Sequence, residues 1–208
     1  MTLKAIPTLH NGIEFRSRKE ARWAVFFETA GIPYVYEPEG FDLGDAGRYL
    51  PDFWLPKQKA YWEVKGTTPT DREEEKARAL ADVTGAKVYI HFGEVAPNWT
   101  HWFKNPPNLL DETDSAYQVE VDGWDNNYQW CECFSCGRVG LEFDARSYRL
   151  GCDCPQAAGG HPDKGYNPYS PRLAAGYEAA RTARFWNPKT ETRDNKVLDW
   201  EKMLGFRP

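Results

Sequence analysis

Residues 49–66, YLPDFWLPKQKAYWEVKG, hold three ionisable side chains at a spacing that suits hydrolysis at phosphorus. Asp52 falls in one segment rich in apolar and aromatic residues. Glu63 and Lys65 fall at the end of the next, two positions apart. Side chains alternate between faces along a strand, so Glu63 and Lys65 share a face and Val64 points away. If the two segments pair, Asp52 comes near Glu63. Two carboxylates at one point repel, and a cation between them relieves the repulsion. Hard oxygen ligands of this kind suit Mg²⁺ or Mn²⁺. A lysine beside them can orient an attacking water or stabilise charge growing on a phosphoryl group.

Glu20 is a fourth candidate. It precedes Trp23, Ala24 and Phe27 by helical spacings, which places it on the apolar face of a helix, turned towards a sheet. An acid there is costly without a partner or a metal. Glu20 also stands three positions after Ser17, where a capping-box glutamate bonds back to the helix start. The two roles compete for one carboxylate, and the apolar face favours the metal site.

The elements that must position these groups are readable up to Phe92. Ser17 caps a helix that carries Trp23, Phe26, Phe27 and Ala30 on one face, and Gly31 stops it. Pro33–Glu37, Tyr49–Leu55 and Ala60–Val64 read as strands, with a Gly/Asp-rich turn over residues 39–48. Thr70 and Glu73 open a second helix, with Ala77, Leu80, Ala81 and Thr84 on one face, and KVYIHF (residues 87–92) is a further strand. The order is α-β-β-β-α-β, the pattern of an α/β core with a mixed sheet. Prolines then interrupt the chain, and Trp99, Trp102 and Phe103 read as a packing cluster against the sheet. A second unit begins near Ala116, with QVEV, the cysteines and a hairpin through VGLEF and SYRL. Ser170–Pro171 starts a final helix to Phe185 that packs Leu173, Tyr177 and Ala180 on the body. The tail has the pattern of one more short helix over 197–204. The expected units are 1–105, 116–168 and 169–208.

All five cysteines lie between Cys131 and Cys154. An odd number, clustered, points to metal before disulfide in a reducing compartment. Cys133-x-x-Cys136-Gly137 has the form of a zinc knuckle, and Cys152-x-Cys154 follows after fifteen intervening residues. Cys133, Cys136, Cys152 and Cys154 are the expected ligands of one tetrahedral Zn²⁺, with Cys131 as a substitute and the loop residue His161 as a further one. Four thiolates leave no open coordination position, so the ion's expected role is structural, holding a small β unit too small for a core of its own.

The 208 residues are 41% hydrophobic, 27% charged and 15% aromatic, which describes a folded chain. No apolar run approaches the roughly 18–20 residues of a membrane span. The opening MTLKAIPTLHNG lacks the apolar stretch of a secretion signal, so the expectation is a cytoplasmic protein. A net charge of −5 argues against binding nucleic acid by overall charge. Phosphate contacts must come from local patches: Arg16, Arg18, Lys19 and Arg22 beside the proposed metal site, or Arg172, Arg181 and Arg184 on the last helix.

Pro51-Asp52 and Glu63-Val64-Lys65, within this element order and with a glutamate on the first helix, resemble the PD-(D/E)XK nuclease superfamily. The likeness covers residues 15–92, and YEPEGF and YLPDFWLP are similar to phage-borne and transposase-associated members. The resemblance implies a restriction-endonuclease-like fold and Mg²⁺-dependent endonuclease cleavage of DNA to 5′-phosphate and 3′-hydroxyl ends. It implies that Asp52, Glu63 and the Val64 carbonyl hold the metal, with Glu20 as a direct or water-mediated ligand. Lys65 would be the catalytic lysine, and Glu37 a supporting group. Pro51 would shape the strand. Some members carry an iron–sulfur cluster, though the tight cysteine pairs favour zinc. The same fold also serves Holliday-junction resolvases, which act as homodimers, and transposition-type nucleases. A further alternative is a catalytically inactive zinc-containing module that binds DNA or protein. The acidic balance suggests a protein partner that supplies DNA targeting.

Overall fold

The first helix, α1 (Arg18–Ala30), begins where the Ser17 hydroxyl accepts the Glu20 main-chain N–H at 3.2 Å. It ends at Gly31, whose φ of 65° is a left-handed conformation that glycine adopts without strain. The computed structural model describes residues 5–96, 101–103, 129–133, 135–142, 152, 154, 166–167 and 170–185.

Ahead of α1 lies a hairpin absent from the expected order, β1 (Thr8–His10) and β2 (Ile13–Phe15). Its turn is Asn11–Gly12, with φ of 47° and 80°. Two successive left-handed residues make the tight turn that matches strand twist, and Asn-Gly is its strongest sequence signal. After α1 come β3 (Val35–Tyr36), a ribbon of β4 (Phe41–Asp42) and β5 (Arg48–Tyr49), then β6 (Phe53–Leu55) and β7 (Ala60–Lys65). The expected strand over 49–55 is thus two strands with different partners: β5 pairs with β4, and β6 with β3 and β7. The break falls at Pro51, which has no N–H to give a ladder. Asp52 consequently sits in a bend just before β6 and not inside a strand.

The second helix, α2 (Asp71–Thr84), carries the expected capping box between Thr70 and Glu73. It joins β7 to β8 (Lys87–Phe92), which run parallel, as a helical crossover allows. The mixed sheet has five strands in the order β3-β6-β7-β8-β9, where β9 is His101–Phe103. The cysteine unit contributes β10 (Gln129–Cys133), β11 (Val139–Glu142) and β12 (Tyr166–Asn167), and α3 (Pro171–Thr182) follows. VGLE pairs with the strand preceding the knuckle, so the hairpin closes around the knuckle itself. QVEV, SYRL, Trp99, His161 and the tail helix lie outside the described residues. Among the described residues no helix is long and apolar enough to cross a membrane.

Strand alternation sorts the sheet into two apolar faces. Trp62, Val64 and Tyr89 face α1, while Tyr61, Val88 and Ile90 face Ala77, Leu80 and Ala81 of α2. Trp130 of β10 is 1% exposed, its ring 5.5 Å from Trp62 and 5.8 Å from Phe27. Burying one such side chain contributes roughly 2–3 kcal/mol, so the cysteine unit is anchored in the main core by its own aromatic residue. Leu173, Tyr177 and Ala180 of α3 pack into the same core, as the sequence pattern predicts. His91, completely buried beside Trp23 and Trp62, has its pKa lowered to about 4, chiefly by burial, and is neutral at physiological pH.

The α1–α3 crossing depends on Gly176. A Cβ there would lie 3.0 Å from Phe26 Cδ2 and 3.3 Å from the Phe26 carbonyl oxygen. Gly176→Val should therefore destabilise the fold by about 2 kcal/mol or more, read as a lower urea midpoint. An unchanged midpoint would show that the crossing tolerates a side chain.

Candidate functional site

The antiparallel register Phe53↔Trp62 brings Asp52 opposite Glu63, as the spacing predicts. Main-chain bonds lock the two acids. The Asp52 N–H donates to Glu63 Oε1 at 3.1 Å, and the Val64 N–H donates to Asp52 Oδ2 at 2.7 Å. Asp52 is 3% exposed and Glu63 0%. Lys65 Nζ lies 3.5 Å from Glu63 Oε2 and 3.9 Å from Glu73 Oε1. Glu73 serves twice, since its other oxygen accepts the Thr70 main-chain N–H at 2.8 Å in the capping box.

Glu20 is buried at the neighbouring helix start, 6% exposed. Its Oε1 accepts the Ser17 hydroxyl at 2.7 Å. Its Oε2 accepts the Tyr36 hydroxyl at 2.7 Å and the Arg16 N–H at 3.1 Å. Glu20 therefore ties down the helix start through the Ser17 hydroxyl and the Arg16 N–H, not through the Ser17 N–H of a capping box, and the Arg16 side chain connects it to Asp52. The Arg16 guanidinium reaches Asp52 Oδ1 at 2.5 Å and Glu37 at 2.7 Å, and its Nε is 4.0 Å from Glu20. Glu37 holds a left-handed φ of 44°, braced by its N–H to the Asp52 carbonyl at 2.9 Å. The other members of the basic cluster lie differently: Lys19 Nζ donates to the Gly66 carbonyl at 3.1 Å, Arg18 is exposed, and Arg22 is half-buried with its Nε enclosed.

Five carboxylates, Glu20, Glu37, Asp52, Glu63 and Glu73, thus share two cations, Arg16 and Lys65. Burial and then Glu63 push the Asp52 pKa well above its usual value. Burial works against the Lys65 charge, but Glu63, Asp52 and Glu73 outweigh it and raise its pKa. The Tyr49 hydroxyl is buried beside Glu63, and burial followed by Glu63 raises its pKa. Oxygen donors with excess negative charge are the donor type of a hard divalent cation, and the Asp52 and Glu63 carboxylates are of that type.

The four cysteines named from spacing converge: the Sγ atoms of Cys133, Cys136, Cys152 and Cys154 all lie within 4.8 Å of one another. They could hold a metal ion such as zinc. Cys131 stands apart on β10, its thiol directed at the Gln129 carbonyl at 3.5 Å. Gly137, at φ 69°, makes the knuckle turn, and its N–H donates to the Cys133 carbonyl at 2.9 Å. Burial acts to raise the Cys133 pKa, but main-chain N–H groups of Cys136 and Ser135 bring it to about 7, favouring thiolate.

Tyr36, Tyr49 and Glu73 join these groups without being among the residues expected from sequence, and so does the contact of Arg16 with Asp52. Only Glu73 had a local signal, its capping box. The others meet the site through tertiary contacts. No family model, curated protein or solved structure matches the chain.

Two measurements follow. Asp52 has a raised folded pKa, so its contribution to stability falls as pH rises from the unfolded value towards the folded one and stays low at neutral pH. Asp52→Asn should raise the stability of the metal-free protein at pH 7 by about 1 kcal/mol and flatten that pH dependence; a loss of stability would contradict this charge balance. Metal analysis should find one zinc in wild type and in Cys131→Ser, and none in Cys133→Ser. Equal loss in both variants would reject the four-ligand set.

Proposed function

We propose that this chain is a metal-dependent DNA nuclease of the PD-(D/E)XK type, with a structural zinc in its cysteine unit. The observation that carries the reading is the interlocked, buried pair Asp52–Glu63 with Lys65 beside it. Such a pair costs stability unless a cation completes it, and it stands at the end of a sheet strand beside a basic group.

Asp52, Glu63 and the Val64 carbonyl would hold the ion, which when bound polarises the phosphoryl group and activates water. Glu20 fixes the helix start and, through Arg16 and Tyr36, the edge of the site. Lys65, held by Glu63, orients the water and stabilises charge on the phosphoryl oxygens. The water oxygen bonds to phosphorus as the P–O3′ bond breaks; the water gives up one proton to solvent and the leaving 3′-oxygen takes one from solvent, which balances the step. Arg16 already holds Asp52 Oδ1, so a cation held by Asp52 would weaken that ion pair, and the half-exposed guanidinium would then be available to a phosphate.

One observation favours a second reading. Arg16 already neutralises Asp52, which suits an inactive zinc-containing module that binds DNA or protein. Cleavage assays with Mg²⁺, Mn²⁺ or EDTA, on plasmid, single-stranded and four-way DNA, separate the two. Wild type should cut only with metal, and Glu63→Ala and Lys65→Ala should each lose about 100-fold or more. Preference for the four-way substrate would indicate a junction resolvase. Arg16→Gln should bind Mn²⁺ more tightly than wild type in the absence of DNA. No cleavage and no Mn²⁺ binding by wild type would decide for the binding module.

A further inference from the structure

The carboxylate site has two flanks of opposite charge. On one side, the first two turns of α1 carry Arg18, Lys19 and Arg22. Arg18 is exposed, and Lys19 and Arg22 are half-buried. Lys19 Nζ donates at 3.1 Å to the carbonyl of Gly66, the residue after Lys65, so this flank adjoins the end of β7. On the other side, the β4–β5 ribbon meets the site through Tyr49, whose ring centroid lies 6.0 Å from Lys65 Nζ. The ribbon and the residues leading into it expose Glu39, Asp42 and Asp45 against one exposed base, Arg48. Lys76 of α2 lies over the same ring at 5.6 Å, its ammonium on the Arg48 carbonyl at 3.3 Å.

The fold does not match the α1 cations. The helix has two acids, and both are engaged elsewhere. Glu20 is taken by Ser17, Tyr36 and Arg16, and Glu28 by His10, Asn11 and Tyr34. Lys19 gains a carbonyl and no carboxylate. The side chains of Arg18 and Arg22 meet no acid among the described residues. Their placement is costly in itself. Positive charge in the first turn opposes the helix dipole. Arg18 and Arg22, four positions apart, share one stripe of the helix and repel. A polyanion lying on that stripe removes both costs, since its phosphates supply the missing partners and release their own counterions. The cations of α3 are in a different state: Arg172 is held by Glu132 and Arg181 by Glu178. On the ribbon the same polyanion would meet Glu39, Asp42 and Asp45, and like charges there repel it.

We propose that a DNA strand reaching the carboxylate site is held on the α1 flank alone, by Arg18, Lys19 and Arg22, and is kept off the ribbon flank by Glu39, Asp42 and Asp45. The strand therefore leaves the site across the start of α1. That the strand is a substrate rests on the nuclease reading; the one-sided surface itself requires no cleavage.

The test uses the full chain purified with zinc, in buffer free of Mg²⁺ and Mn²⁺, so that binding is read without cutting. A fluorescein-labelled ten-residue oligothymidylate is followed by anisotropy between about 0.05 and 0.2 M salt. Arg18→Gln/Arg22→Gln should weaken binding about tenfold and lower the salt slope by about one and a half. Arg18→Gln alone, at an exposed position, keeps the test valid if the double variant is unstable, and should show part of that loss. In Asp42→Asn/Asp45→Asn the amide oxygen at position 42 can still accept the Gly44 N–H. That variant should change affinity less than about threefold at about 0.1 M salt, where charges more than about 10 Å from the strand are screened. No binding at the lowest salt, undiminished binding by the arginine variants, or a larger gain in the ribbon variant would each overturn the proposal. Arginine-dependent binding by a protein that cuts no DNA with Mg²⁺ would keep this surface and remove the nuclease reading. Metal-dependent cutting with an unchanged KM in the arginine variants would keep that reading and remove the surface.

Discussion

Asp52 and Glu63 are buried against each other with like charge, and much of the surrounding architecture answers that repulsion. Each accepts a main-chain N–H from the other's segment, which holds the β6–β7 register where the two acids meet. Arg16 supports one acid from the start of α1 and Lys65 the other from the end of β7. Neither cation is dedicated to one partner: Arg16 also serves Glu20 and Glu37, and Lys65 also serves Glu73. Within ion-pair distance five acids share these two bases, with Lys76 acting on Glu73 from farther away. A group of this kind is a reservoir of unfavourable charge that a divalent cation would draw down, which is how a site can bind metal strongly at the expense of the metal-free fold.

The aromatic core makes that arrangement rigid. Trp23, Phe26 and Phe27 of α1 meet Trp62 of β7 and Trp130 of β10, with Tyr177 of α3 closing the far side. The helix carrying Glu20 and the strand carrying Glu63 therefore pack through the same rings, and neither can shift alone. The cysteine unit shares the core through Trp130 and Leu141, although its own centre contains little besides the cysteines. A metal at the four thiols would hold the knuckle, while Trp130 docks the unit.

Local chemistry was legible where one or two residues decide the outcome. Ser17 and Gly31 bound α1, and Thr70 with Glu73 starts α2, because caps satisfy main-chain groups within a single turn. The four converging cysteines follow from the spacing of two short Cys pairs. The Asn11–Gly12 turn carried the same kind of signal for the β1–β2 hairpin and went unread, because strands of three residues show too little alternation to draw attention. Pro51 likewise announced the break that moves Asp52 into a bend.

The amino-acid sequence by itself determined the elements of the core, the chemical types at its site and the spacing that pairs Asp52 with Glu63. These depend on capping, alternation and turns, which act over a few residues. Only the tertiary structure decided that Arg16 rests on Asp52, that Glu73 reaches Lys65, and that Trp130 enters the core from a distant segment. It also set Lys19 against the Gly66 carbonyl and left Arg18 and Arg22 without an acid beside them. Those pairings join residues far apart in the chain, and Coulomb forces and packing act through space, without regard to sequence separation.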